Sequence, residues 1–311
     1  MQLTIVADGL KFPEGPVALG DGSVVVVEVA AGRITRVMPD GTANVVAVPG
    51  GGPNGLALGP DGALYVCNNG GSMTWLESGG GLVPGPHEPE QYSGGRIERV
   101  DLHTGEVTVL YTMCEGQPLR SPNDIVFDDA GGFWFTDFGV STELSRDRTA
   151  IYYALPDGSS IREAIFPLDM PNGISLSPDG SRLYTAESLT GRVWWWDVTA
   201  PGEVAKVPGG IFEHGGTVLR GLGGERDVRG LDSMAVDGEG WVCVATPVAA
   251  GVACVSPDGE EVEFLPTGDV MTTNICFGGP DYRTAYITLS HKGLLATVPW
   301  PRAGLKLPFA Q

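Results

Sequence analysis

The chain of 311 residues carries 19 Lys and Arg against 38 Asp and Glu, a formal net charge of −19 that repels nucleic-acid phosphates and anionic membranes. Hydrophobic residues make up 42% and charged residues 18%, enough apolar side chain for a packed core and too little charge for a disordered polyelectrolyte. The 47 glycines and 24 prolines stand between short Val, Ile, Leu, Tyr and Trp runs, so long helices are excluded and many short strands are expected.

The N-terminal stretch Met1-Gln2-Leu3-Thr4-Ile5-Val6-Ala7-Asp8 has neither a basic nor an apolar leader segment, and no later run approaches 18 consecutive apolar residues. A cytoplasmic protein is expected. From there a phrase recurs: a polar residue, usually after Pro, then an apolar run, an Asp-Gly or similar turn, and an aromatic or β-branched run. The first three copies are Pro13-Glu14-Gly15-Pro16-Val17, Pro53-Asn54-Gly55-Leu56 and Pro122-Asn123-Asp124-Ile125. Pro171-Asn172-Gly173-Ile174, Leu231-Asp232-Ser233-Met234 and Thr273-Asn274-Ile275-Cys276 complete the set. Their polar residues lie 40, 69, 49, 60 and 42 residues apart, which fits four-stranded units of about 40 to 45 residues with insertions.

Six copies predict a six-bladed all-β propeller, residues 1–311 forming one domain, with Leu3 to Val6 completing the last blade as its outer strand. Third strands are expected at Gly32–Val37, Gly95–Val100 and Gly191–Trp196, with period-2 alternation throughout. Residues 71–95, rich in Gly and Pro, read as one long surface loop. Because this loop carries Met73, Trp75 and Leu76 and comes just after Asn68, it is a candidate lid over the channel mouth.

The innermost strand of each blade lines the channel, so Glu14, Asn54, Asn123, Asn172, Asp232 and Asn274 form a ring. Two carboxylates and four amides offer hard oxygen donors, which suit a divalent cation, calcium first. Pro-Asn-Gly also makes turns, and a turn is the alternative for any single copy. Six copies in phase, two of them acidic, argue for the ring. A second set, Glu28, Asn68, Asp137, Glu187, Thr246 and Thr288, stands about fourteen residues downstream and returns to the same rim. These residues read as strand-end caps, a polar pocket wall or groups supporting the metal ligands. Tyr65, Trp134, Tyr184, Trp241 and Tyr286, just before them, read as core between blades.

Other signals carry little. Gly50-x-Gly52-x-x-Gly55 fits a dinucleotide fingerprint, but Gly59-Pro60-Asp61-Gly62 breaks the next segment before a helix can form. The sequence holds no H-E-x-x-H, G-x-S-x-G or G-K-[ST] motif, and its four histidines have no metal spacing. Five widely spaced cysteines form no C-x-x-C pair and are expected to be reduced and mostly buried.

At Phe12-Pro13-Glu14-Gly15-Pro16, Ser121-Pro122-Asn123-Asp124, Pro171-Asn172-Gly173 and Leu231-Asp232-Ser233-Met234 the chain resembles the SMP-30/gluconolactonase/luciferin-regenerating-enzyme family. The resemblance implies a six-bladed propeller with an axial divalent ion held by Glu14, Asn172 and Asp232, with Asn123 as a ligand or substrate contact, and a lactone-hydrolysing activity. Calcium is the first choice of ion, with Mg2+, Mn2+, Fe2+ or Zn2+ as the other divalent candidates. Arg120 stands near the substrate-binding arginine of sugar lactonases, one residue out of register. With it, Asn54 and Glu187 are assigned to substrate contact.

In this reading the metal polarises the lactone carbonyl, and Asp232 is both a ligand and the general base. The expected partner is a small-molecule substrate, with no nucleic acid and no membrane, in a monomer or small homo-oligomer. Two alternatives stand beside it: a calcium-binding propeller that acts as a non-catalytic binding module, and a different reaction at the same metal, such as ester or phosphotriester hydrolysis, addition or cyclisation.

Overall fold

The computed structural model describes residues 2–208, 212–224 and 230–309. Among them, six antiparallel sheets form the blades of a propeller. Blade 1 comprises Pro13–Ala18, Val24–Glu28, Arg33–Val37 and Ala43–Ala47. Blade 2 comprises Pro53–Leu58, Leu64–Asn68, Arg96–Val100 and Val107–Tyr111. Blade 3 comprises Pro122–Phe127, Phe133–Asp137, Thr149–Ala154 and Ile161–Leu168. Blade 4 is built from Pro171–Leu176, Arg182–Glu187, Arg192–Ala200 and Thr217–Gly221. Blade 5 is built from Met234–Val236, Val242–Thr246, Gly251–Val255 and Val262–Pro266. In blade 6, Thr272–Gly278, Thr284–Leu289 and Leu294–Pro299 are joined by Thr4–Ala7.

The first strand of each blade touches the first strands of its neighbours, and the ring closes where Thr272–Gly278 meets Pro13–Ala18. The N-terminal strand is the outer strand expected from Leu3 to Val6. It pairs Thr4 with Thr297 and Ile5 with Ala296, so both ends of the chain share one sheet.

The second strands of four blades show no alternation. Val24–Glu28, Leu64–Asn68, Phe133–Asp137 and Val242–Thr246 are buried at every residue. The physical reason is that a second strand packs on both faces, one against each neighbouring blade, and therefore reads as a continuous apolar run. Tyr65, Trp134 and Tyr184 are buried in this packing, while Trp241 and Tyr286 are half-buried. All five cysteines are free; four are buried and Cys276 is half-buried.

The segment 71–95 is not a structureless loop. Trp75–Ser78 and Gly81–Pro84 form a hairpin, with Trp75 opposite Pro84 and Leu76 opposite Val83. Its turn places Gly79 and Gly80 at φ of +57° and +83°, the two left-handed residues that a tight hairpin needs.

Deleting residues 2–8 would leave Leu294–Pro299 as an open edge and uncover Leu295, so the melting temperature should fall by about 5 °C or more. An unchanged thermal melt of the truncated chain would show that closure does not depend on this strand.

Candidate functional site at the axis

Five of the six polar residues of the repeated phrase stand near the start of an innermost strand, and the pairing register slips just there; Asp232 instead lies two residues before Met234–Val236, whose pairing is regular. The irregularities fall between Glu14 and Val17, Pro53 and Leu56, Pro122 and Ile125, Pro171 and Ile174, and Thr272 and Asn274. A slipped register twists the strand and re-aims a side chain. The turn that Pro-Asn-Gly makes elsewhere is not formed, since Asn54, Asn123 and Asn172 lie within strands.

The next residue in each copy sets how closely the strands approach. A Cβ on Gly15 would lie 2.5 Å from the Asn54 carbonyl oxygen, and one on Gly55 would lie 2.4 Å from that of Asn123. On Gly173 it would lie 2.8 Å from the Asp232 carbonyl oxygen. These glycines bring each polar residue against the next blade.

In blade 3 that position is Asp124, which the shared pattern of the repeats does not single out. Its Oδ1 accepts from its neighbour Ile125 N at 3.0 Å, and its Oδ2 accepts from Ile174 N of blade 4 at 3.3 Å. Met234 of blade 5 also donates to it from the backbone. One buried carboxylate therefore ties three blades together. The signal was present in the sequence: an acid where Gly15, Gly55, Gly173 and Ser233 stand in four other copies.

Glu14, Asn54, Asn123, Asn172 and Asn274 are all buried, and Asp232 is half-buried. Glu14 Oε2 accepts from Gly15 N at 2.6 Å and from Asn274 Nδ2 at 2.7 Å, while Asn274 Oδ1 accepts from Ile275 N at 2.8 Å. Asn274 thus supports Glu14 from the neighbouring blade. Asn172 Oδ1 accepts from Ser233 Oγ at 3.4 Å, and Asn172 Nδ2 donates to Ser188 Oγ at 3.3 Å. Asp232 Oδ1 accepts from Ser233 N at 3.2 Å. The amide oxygen of Asn123 is buried with no hydrogen-bond partner.

Burial pushes the Glu14 carboxyl up to about 7. Burial, and then the charge of Glu14, pushes Asp124 up to about 8 and Asp232 well above the usual carboxylate range. Three carboxylates repel one another in a place with little water. A cavity of about 110 Å3 reaches Asp124 and Asn274 from the far end of the channel. Its walls include Val17, Leu58, Phe127, Val236 and Phe277, so apolar packing backs the polar groups on that side.

Most of the second set acts as caps. Glu28 accepts from Lys11 N at 2.8 Å and Arg33 Nε at 2.7 Å. Asn68 accepts from Gly52 N and Gly70 N, both at 3.0 Å. Asp137 accepts from Arg120 N and Ser121 N, both at 2.7 Å. Glu187, read in the sequence as a substrate contact, does the same work. It accepts from Asp169 N at 2.9 Å, Trp194 Nε1 at 3.0 Å and Thr190 Oγ1 at 2.5 Å. Each of these side chains fixes the loop that leads into its own innermost strand. Arg120 stands half-exposed at the mouth, its Nε 2.7 Å from Asp147 Oδ2.

The hairpin in segment 71–95 is anchored on two sides of the mouth. Trp75 packs on Phe12 with ring centroids 4.5 Å apart, and Leu82 N donates to His291 O at 3.0 Å. On the other side, Ser72 Oγ and Ser121 Oγ are 2.9 Å apart.

Among the described residues, no three His, Cys, Asp or Glu side chains group as a metal site by themselves. A cation on the axis needs the amide oxygens as well. The unpartnered Asn123 oxygen, the Asn172 amide and the mutually repelling carboxylates of Glu14 and Asp232 make a hard-oxygen donor set that fits such an ion.

A family model described as the SMP-30/gluconolactonase/LRE-like region matches residues 12–291. The chain belongs to this family. A gluconolactonase from Zymomonas mobilis is 25% identical over 93% of this chain and 79% of its own length. Among solved structures, a Xanthomonas campestris gluconolactonase has a TM-score of 0.73 at 22% identity, covering 96% of this chain and 89% of that one. A calcium-binding protein, regucalcin, from Agrobacterium tumefaciens has a TM-score of 0.74 at 18% identity, covering 97% and 94%. These two likenesses establish the six-bladed fold.

Removing the Asp124 carboxylate strands the backbone donors of three blades. Asp124→Ala should therefore destabilise the protein by about 3 kcal/mol, and Asp124→Asn, which keeps one acceptor, by less. Denaturant melts of the two variants check the order, and equal stability of Asp124→Ala and the native protein would contradict the tie.

Proposed function

We propose that the protein is a metal-dependent lactonase, opening a small cyclic ester with water to give the hydroxy acid at the mouth of the propeller. Membership of the family and the gluconolactonase relative support hydrolysis of a lactone. The observation that carries metal dependence is the buried Asn123 oxygen without a partner, set among carboxylates that burial has pushed upward. Glu14, Asn172 and Asp232 would hold the ion, with Asn123 as a further ligand or substrate contact; calcium is the first choice for oxygen donors of this kind. Bound there, a divalent ion polarises the ester carbonyl and offsets the charge that grows on its oxygen.

The protein's own groups do the rest. Asp232, half-buried and held by Ser233 N at its Oδ1, would serve as the general base that accepts the proton of the attacking water. Asn274 and Gly15 hold the Glu14 carboxylate in one orientation. Asn54 and Asn123 present amides to the substrate. Ser233 and Ser188 fix the Asn172 amide between blades 4 and 5. Around them, apolar packing excludes bulk water.

Chelation should abolish turnover across a panel of lactones, and Ca2+ or another hard divalent ion should restore it. Full activity in metal-stripped protein would overturn metal dependence, and a panel with no turnover under any metal would favour a non-catalytic binding module.

Asp232→Asn should lower kcat by about 10² or more while the melting temperature stays within a few degrees, because general-base catalysis contributes roughly 10² to 10⁴. Glu14→Gln should act through metal affinity, read by calorimetric titration. Near-native turnover in the first variant, or unchanged affinity in the second, would reassign these roles.

A further inference from the structure

Most left-handed backbone positions in this chain are glycine, yet seven non-glycine residues among the described ones adopt positive φ. Four of them, Phe12, Met170, Val248 and Ala250, lie in segments at the mouth that carries the polar ring. Val248, at φ +70°, is β-branched, the residue class least suited to this conformation. Such outliers persist only where surrounding structure holds them, and they gather at functional sites.

The surroundings here are firm. Val248 N donates to Val270 O at 2.8 Å, and Ala250 O accepts from Thr267 N at 2.8 Å and from Gly268 N at 3.2 Å. The strand leading into Val248 is also fixed to the site, since Asp232 N donates to Ala245 O at 2.9 Å and Ala245 N donates to Ser233 O at 3.0 Å.

The conformation is not a consequence of burying the side chain, for Val248 is 55% exposed. Leu189 of blade 4 and Val270 stand at the same rim and are 57% and 46% exposed. Met170, at φ +57° and half-buried, precedes Pro171-Asn172, and its carbonyl accepts from Ser188 N at 3.1 Å. The two blades that carry Asn172 and Asp232 therefore present apolar side chains at the mouth. Two arginines at this rim are neutralised: Arg120 pairs with Asp147 at 2.7 Å and Arg146 with Asp169 at 2.9 Å.

We propose that Val248 and Met170 form a selecting collar that favours a cyclic ester bearing an alkyl or aryl substituent over a polyhydroxylated sugar lactone. This rests on the lactonase reading for its substrate. The collar holds the substituent against blades 4 and 5, which leaves the ester carbonyl at the axis.

The test compares Val248→Gly and Val248→Asn with the native protein. Both residues tolerate the left-handed backbone, so both should fold, and the glycine variant should melt no lower than the native chain. The kcat/KM for an alkyl-substituted δ-lactone should fall about tenfold, mainly through KM, while that for glucono-δ-lactone stays within about twofold. Calorimetric binding of the matching alkyl δ-lactam, which is not hydrolysed, should weaken in parallel.

Equal effects on both lactones, or none on either, would overturn the collar and leave the lactonase reading standing. Lactam binding that depends on Val248, without hydrolysis of any lactone, would overturn the lactonase reading and keep the collar. Neither hydrolysis nor lactam binding by the native protein would overturn both.

Discussion

The site depends on how closely six innermost strands approach one another at the propeller axis. Gly15, Gly55 and Gly173 remove the Cβ atoms that would collide with the backbone of the next blade. Asp124 replaces a glycine and instead bridges to blades 4 and 5. Because every blade is held by both neighbours, the positions of Glu14, Asn123, Asn172 and Asp232 are properties of the closed ring. No single blade could fix them.

That closeness has an electrostatic consequence. Carboxylates brought together under apolar packing cannot all ionise at neutral pH without a counter-charge. Glu14 and Asp124 are raised into the neutral range and Asp232 above its usual range, and burial is the leading cause in each case. The same arrangement leaves the Asn123 oxygen buried and unpartnered. Taken alone these features destabilise the fold, and the proposed divalent cation on the axis would offset them. The capping acids Glu28, Asp137 and Glu187 are each satisfied by several backbone or side-chain donors, although burial raises Asp137 as well.

Repetition made the architecture legible. Six copies of a polar residue, most of them after Pro, each with an apolar run and a turn behind it, gave the blade count and the ring of Glu14, Asn54, Asn123, Asn172, Asp232 and Asn274, and Leu3–Val6 gave the closing strand. Asp124 is hidden because the likeness of the copies lies at the shared position, whereas Asp124 stands at the one where they differ. The capping contacts of Glu187 are hidden because the sequence places it at the rim but does not reveal Asp169 N, Trp194 and Thr190 around it. The hairpin at Trp75–Pro84 was missed although its Gly-Gly turn is a known hairpin signal, since the surrounding glycines hid two short strands. Nothing in the sequence marks Val248 as left-handed, because the cues for that conformation are Gly and Asn.

The central claim is that the axial oxygens form a cation site. It is tested most directly by growing crystals of the protein with Mn2+, a hard divalent ion that scatters anomalously, and locating the anomalous signal. The account predicts one strong peak on the axis, within bonding distance of Glu14, Asn172 and Asp232 and beside the Asn123 amide. A map with no peak there, or with the ion bound only elsewhere, would contradict it.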